Sequence, residues 1–465
     1  MRRSSAATLS SWLTFAAILV CSLAAAFAAS VGDVYIGVLV GVILLFLAVS
    51  RPREGAILAL ILGLLQYGPT KTIPLFPHSF TLVDDLLLLG VGVRLLLDAL
   101  QKQYRPPLWV LGWVGAWALA GALGAVMNGV DFTTVLSSYR WMFLPVVLYV
   151  ASSRYGGQRR FAALVVGVVI ANTLAQAVLA VVQALGARQI GDTSFGLLGP
   201  GGANLLGFVL LIGVSLLAAG VGRPAMRMGG VALGLLGIVC SAARAAMVAA
   251  PFALLAGQRG LLRRPSRIAA IVAFVVVGML ASAILFGTMG MSLATGLSPS
   301  RVLAAQYDSH SGGRLIYARG LSTVLEGDPL SWAVGLGPGQ YTSVVGQQYA
   351  APAFVRVRIR EAVTSRYATP DIEWVTVMGE YGAFGITCLL AVLIRPLWLG
   401  RLPSQRLLES DGSALAMVTR AAPSLVIIAL VGSLSNNFFE YQPASYGWWA
   451  VLGLVEAANY VRSGV

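Results

Sequence analysis

Long apolar blocks, separated by short polar or basic loops, run along almost the whole chain. The blocks at 12–29, 161–185 and 268–286 are nearly free of charge. Blocks near 20 residues match a hydrocarbon layer of ~30 Å at a rise of ~1.5 Å per residue. This pattern predicts helices near 12–29, 34–50, 55–67, 82–100, 107–127, 133–152, 161–186, 203–221, 228–242, 245–257, 268–288, 373–394, 420–436 and 444–460. The fold class expected is all-α: a polytopic transmembrane bundle of about 12–14 helices with one large extracytoplasmic loop. The run 228–257 is short for two spans, yet basic loops flank it on both sides. The chain therefore has to turn back near residues 241–244, which a polar turn facing protein or water permits. Residues 289–370 form the one long loop. Within it 312–325 reads as an amphipathic helix, stopped by Gly327-Asp328-Pro329. Three regions follow: helices in 1–288, the loop 289–370, and helices in 371–465.

Composition strengthens this picture. Of 465 residues, 58% are hydrophobic and only 11% charged, with a mean hydropathy of +0.82. Soluble domains carry roughly 25% charged residues. The net charge of +14 sits largely in alternating short loops: Arg51 and Arg53, Lys102 and Arg105, Arg159 and Arg160, Arg223 and Arg227, then Arg259, Arg263, Arg264 and Arg267. Such alternation orients helices with both termini in the cytoplasm, and no nucleic-acid partner is implied. Arg2, Arg3 and the first apolar block resemble a signal peptide. Because residues 28–30 lead directly into another span, an uncleaved anchor is expected. Cys21, Cys240 and Cys388 offer neither a disulfide framework nor a metal spacing. His78 and His310 are the only histidines, so a histidine-rich metal site or a Ser-His-Asp relay is not expected.

Ionisable groups at membrane depth are costly and point to function. Arg140 in the sixth predicted span, Arg244 at the turn, Arg314 at the start of the loop helix and Asp371 at re-entry all fall on the expected outer side. Guanidinium forks pair bidentately with phosphate oxygens, and a carboxylate can take a proton from a sugar hydroxyl. Simpler roles compete with these. Arginines near helix ends snorkel to headgroups, and Asp371 suits a helix N-cap. The pair Asp84 and Asp85 reads as an outward-facing helix start. The glycine stretches 198–204 and 335–339 lack the residues of a phosphate-binding loop and read as tight turns. Without a nucleotide motif, energy has to come from an activated substrate or a gradient.

Four blocks, in order, carry a resemblance to the O-antigen polymerase and ligase family of bacterial membrane glycosyltransferases. Gly199-Pro-Gly-Gly-Ala-Asn204 resembles the family's small-residue turn before a span. Cys240-Ser-Ala-Ala-Arg244 is similar to its Ser-Arg hairpin, here with two alanines between. Ser311-Gly-Gly-Arg314, through Asp328-Pro329 to Gly335-Leu-Gly-Pro-Gly-Gln-Tyr341, resembles the loop helix with its leading Arg and the Gly-x-Gly-x-Gly segment. Asp371-Ile-Glu-Trp374 through Glu380-Tyr-Gly-Ala-Phe-Gly385 is similar to the re-entering helix. The ligases open this last block with His-Asn, whereas this chain has Asp371-Ile372, as many polymerases do.

The resemblance implies transfer of a glycan from undecaprenyl diphosphate at the outer membrane face, with no cofactor, metal or nucleotide. Arg244 and Arg314 would hold the diphosphate with Arg140 assisting, and Asp371 or Glu373 would act as the base. Asn204, Ser241, Arg319 and Tyr341 would support them. The partners expected are the lipid-linked oligosaccharide, membrane lipids, a chain-length regulator and a flippase. A ligase is the nearest alternative. A secondary transporter or flippase would need midplane charges and inverted repeats, and neither is visible in the sequence. A purely structural scaffold would leave the outer arginines without a role.

Overall fold

The computed structural model describes residues 34–65, 83–187, 194–198, 202–220, 224–257, 315–325, 329–361, 372–401 and 414–463. Seventeen helices and no strand lie among these described residues. In chain order the first are α1 (Val34–Ser50), α2 (Pro52–Leu65), α3 (Val83–Leu100), α4 (Leu108–Met127), α5 (Phe132–Phe143) and α6 (Val146–Tyr155). Next come α7 (Arg159–Ala187), α8 (Ala203–Ala219), α9 (Pro224–Cys240) and α10 (Arg244–Gly257). The loop region holds α11 (Leu315–Leu325), α12 (Pro329–Val334), α13 (Val344–Gln348) and α14 (Pro352–Arg360). The chain then finishes with α15 (Glu373–Arg401), α16 (Ala414–Ser435) and α17 (Gln442–Ser463). The predicted spans at 12–29 and 268–288 lie outside the described residues, as do residues 289–314, 326–328 and 362–370 of the predicted loop.

Helix α4, helix α7, residues Glu373–Leu399 of α15 and helix α16 are each long and apolar enough to cross a membrane. The fold is that of a helical membrane protein. Two predicted spans are not the simple rods that hydropathy suggests. The one at 133–152 is broken into α5 and α6, bent by 41°, where Pro145 has no amide hydrogen to continue the ladder. Helix α15 breaks at Gly382, which has φ 66° and ψ −169°. The turn expected near 241–244 is present: α9 ends at Cys240, Ala242 takes a φ of 49°, and α10 starts at Arg244.

Lipid offers no hydrophobic drive between helices, so close contact between small residues holds such bundles together. A Cβ on Gly63 would lie 1.9 Å from the Tyr446 ring. That ring is fixed because its hydroxyl donates to Asp84 at 2.6 Å. Gly63→Val is therefore expected to cost about 1–3 kcal/mol through overpacking, read as a lower unfolding temperature in detergent. An unchanged midpoint would mean that α2 and α17 can slide apart without loss.

The two ends of the bundle differ chemically. At one end Arg53 lies over the Tyr155 ring at 5.4 Å and Arg154 over Tyr104 at 5.3 Å. There too Arg395 pairs with Glu456 at 2.9 Å and lies over Trp109, while Arg227 and Arg420 donate to the carbonyls of Gly220 and Ala219. This is the basic end. The opposite, loop end gathers the turns at 128–131, 241–243 and 436–441 with helices α11 to α14.

Candidate functional site

The loop end is built around a carboxylate that sequence reasoning left out of the candidate site. Glu380, two turns into α15, is fully buried. The segment 335–343 folds over it. Gly339 N–H donates to one carboxylate oxygen at 2.7 Å, while Tyr341 N–H and Ser343 N–H donate to the other at 3.0 and 3.1 Å. The amides of Leu336 and Gly337 donate to the carbonyls of Gly379 and Glu380. Gly335, Gly337 and Gly339 have φ of 80°, 98° and 75°. A Cβ on Gly335 would lie 2.3 Å from Glu380 backbone, and one on Gly337 would lie 2.8 Å from Ala125 backbone. The segment does turn at 338–339, as expected, and it is also an amide-lined cradle wedged between α4, α5 and α15, which only glycine fits.

Two further buried acids stand beside it. Glu440 accepts from Val344 N–H at 2.8 Å and from the Asn437 amide at 3.0 Å. Burial pushes the Glu440 carboxyl well above the usual carboxylate range, and Glu373 and Glu380 push the same way. Asn437 also donates to the Thr342 carbonyl at 3.2 Å, and Thr342 and Thr376 share a hydroxyl hydrogen bond of 2.8 Å. Glu373, at the start of α15, accepts from Phe439 N–H at 3.0 Å. Its Oε1 is buried with no hydrogen-bond partner among the described residues. A buried acceptor left open at a helix start is costly, so this oxygen is a place where a proton or a donor is expected.

Of the predicted site residues, Arg314 and Asp371 lie outside the described residues. Arg244 is the first residue of α10, exposed, and makes no ion pair among the described residues. The partial positive charge at a helix N-terminus disfavours a cation there unless an anion joins it. Asn204 is exposed on the first turn of α8. The two helix starts are adjacent, because a Cβ on Gly207 would lie 2.3 Å from Ala243. One further contact ties them to Glu373. Phe208 meets Phe438 edge-on at 6.2 Å, and the next residue, Phe439, holds the Glu373 carboxylate. Tertiary packing therefore brings Arg244, Asn204 and Glu373 to one end of the bundle.

The other predicted residues are engaged elsewhere. Arg140 is half-buried and paired with Asp85, so its charge is already partly compensated by a carboxylate. Asp84 and Asp85, expected to face outward, are buried against Tyr446 and Arg140. The reason is that α5 and α17 cover the start of α3, which no local pattern reveals. Arg140→Ala should consequently cost roughly 1–3 kcal/mol, a buried-pair penalty reduced for the arginine's partial exposure. Thermal unfolding of R140A and of the double variant R140A/D85A checks this, since the second change should recover part of the loss. Ser241 turns back to the Ile238 carbonyl at 2.9 Å. Arg319 is exposed, 3.8 Å from Glu361. Tyr341 is buried, its hydroxyl donating to the Tyr317 carbonyl at 2.5 Å, and burial raises its phenol further, keeping it a donor. Tyr341 and Ser241 thus shape the site from within.

Glu380, Glu440, Asn437 and Thr376 were the residues sequence reasoning missed. The available signal was an acid inside an apolar span and an Asn-Asn-x-x-Glu run between the last two spans. No protein-family model matches this chain, and no curated protein matches it.

Proposed function

We propose that the protein polymerises polyprenyl-diphosphate-linked oligosaccharide repeat units at the outer face of a bacterial cytoplasmic membrane. The observation that carries this reading is that one bundle end holds both the Arg244 guanidinium at a helix start, without an ion pair among the described residues, and the Glu373 carboxylate, one oxygen of which has no hydrogen-bond partner among them. The positive-inside rule assigns the basic end to the cytoplasm. The loop end, with a loop spanning 289–370, then faces outward in a bundle of about 12–14 crossings with both termini inside.

In this reading a hydroxyl oxygen of the acceptor repeat attacks the anomeric carbon of the donor glycan. The bond from that carbon to the diphosphate oxygen breaks, its electron pair leaving with polyprenyl diphosphate. The hydroxyl proton passes to Asp371 or Glu373. Arg244 and Arg314 hold the diphosphate and neutralise the departing charge, with Asn204 and Arg319 at the rim. The donor is already activated, so positioning and charge stabilisation supply the acceleration, and the step as written needs no cofactor. A chain-length regulator and a flippase are the protein partners this chemistry calls for. Ligation of the glycan to a different acceptor would use the same residues.

Chain extension by the purified protein on lipid-linked repeat units tests the proposal. Arg244→Ala and Arg314→Ala should each abolish extension while the protein stays in the membrane. Lysine should rescue poorly, because an ammonium lacks the bidentate fork. Full activity in both alanine variants would remove the diphosphate clamp. A deletion strain that accumulates single lipid-linked repeats supports polymerase over transporter. Cysteines placed at 310 and 350 should react with an impermeant reagent in intact cells; labelling only after the membrane is breached would overturn the orientation.

A further inference from the structure

Helix α14 carries Arg356, Arg358 and Arg360 and no acid. Its inner stripe is committed to packing. Phe354 stacks on Tyr317 at a centroid distance of 5.6 Å, and Val357 occupies the space that a Cβ on Gly320 would need. Both belong to one apolar cluster with Ile372 and Val375, which sit at the first turn of α15. Helix α14 is thereby held at the level where a membrane-spanning helix begins, the depth of lipid headgroups.

Among the described residues nothing covers the outer stripe of α14. Pro352, Val355, Arg356, Ile359 and Arg360 line, with Ala350, an open groove of about 540 Å³. Ile359 is 75% exposed and the neighbouring Tyr349 64%. Arg356 has no partner among the described residues, and Arg360 spends one N–H on Thr323 at 2.7 Å, which leaves the rest of its guanidinium open. Two guanidiniums four residues apart with an aliphatic side chain between them suit phosphate above and hydrocarbon below. The groove's own lining is aliphatic apart from its two guanidiniums, with no aromatic or neutral hydrogen-bonding side chain of the kind a glycan takes.

We propose that this stripe docks on anionic phospholipid headgroups of the leaflet around the loop end. Arg356 and Arg360 pair with lipid phosphates, while Ile359 and Tyr349 enter the acyl boundary. The inference stands whether or not the protein is a polymerase. The test is hydrogen exchange of the full-length protein in nanodiscs of phosphatidylcholine alone or mixed with phosphatidylglycerol. Amides of 353–360 should exchange more slowly in the anionic discs, about fivefold per arginine and by up to roughly thirtyfold for the pair. R356Q/R360Q should return them to the neutral-lipid rate while α17 keeps its protection, which shows that the variant is folded. Equal exchange of the unmodified protein in both lipids would overturn the proposal, as would protection that depends on protein concentration and so marks a second copy on this face.

Discussion

Glu380→Ala is expected to release residues 335–343 from the bundle. Among the described residues the carboxylate is the sole acceptor for the amides of Gly339, Tyr341 and Ser343. Removing it leaves three N–H groups buried, at roughly 1–3 kcal/mol each. The glycine backbone cannot find substitutes by shifting, because the wedge is already in contact with the backbones of α4 and α15. Even ~3 kcal/mol corresponds to roughly 10²-fold faster opening. Amide exchange at these three positions, with the unfolding temperature alongside, reads the effect directly. Glu380→Gln should fall between, keeping one oxygen for Tyr341 and Ser343 but setting an NH2 group against Gly339 N–H. Native-like exchange in the alanine variant would mean that the loop is held by its apolar contacts alone. Because Thr342 and Val344 lie in the same stretch and reach Asn437, Thr376 and Glu440, release of the cradle should also loosen the Glu373 neighbourhood.

The second large effect concerns the base of the proposed reaction. Asp371→Asn and Glu373→Gln, assayed in parallel for chain extension, should separate two roles. Loss of a general base lowers turnover by roughly 10²–10⁴-fold. Asparagine is among the best helix-capping residues, so a merely capping Asp371 would tolerate the change. For Glu373 the amide can still accept from Phe439 N–H through its oxygen, which preserves the contact that fixes the 436–441 turn. Its NH2 would take the position of the open oxygen and block proton transfer there. A fall confined to one of the two variants, at unchanged substrate affinity and unfolding temperature, identifies the base. Wild-type extension by both would end the assignment of either carboxylate to the reaction.

The helices were largely readable in advance because lipid imposes a length and a hydrophobicity on each one separately. The helical segments at 34–50, 82–100 and 107–127 match α1, α3 and α4 to within about a residue, and the turn at 241–243 followed from the basic loops on either side of it. Arg244 was also legible as a candidate, since a cation beside a polar turn is conspicuous in an apolar sequence. The break at Pro145 was present in the letters but lost in a hydropathy average.

What the chain's own pattern could not disclose is partnership across distance. Asp85 and Arg140 are 55 residues apart, Asp84 and Tyr446 are 362 apart, and Glu380 meets amides 37 to 41 residues before it. Local periodicity carries no information about which distant donor reaches a carboxylate. Helicity, apolar character and basic alternate loops follow from the amino acids alone, because those properties answer to the solvent around each segment. The pairing of Arg140 with Asp85, the cradling of Glu380 by a glycine-rich turn, and the shared end of Arg244 and Glu373 emerge only from how the helices pack. Those outcomes depend on close packing, in which small residues let backbones approach within hydrogen-bonding reach.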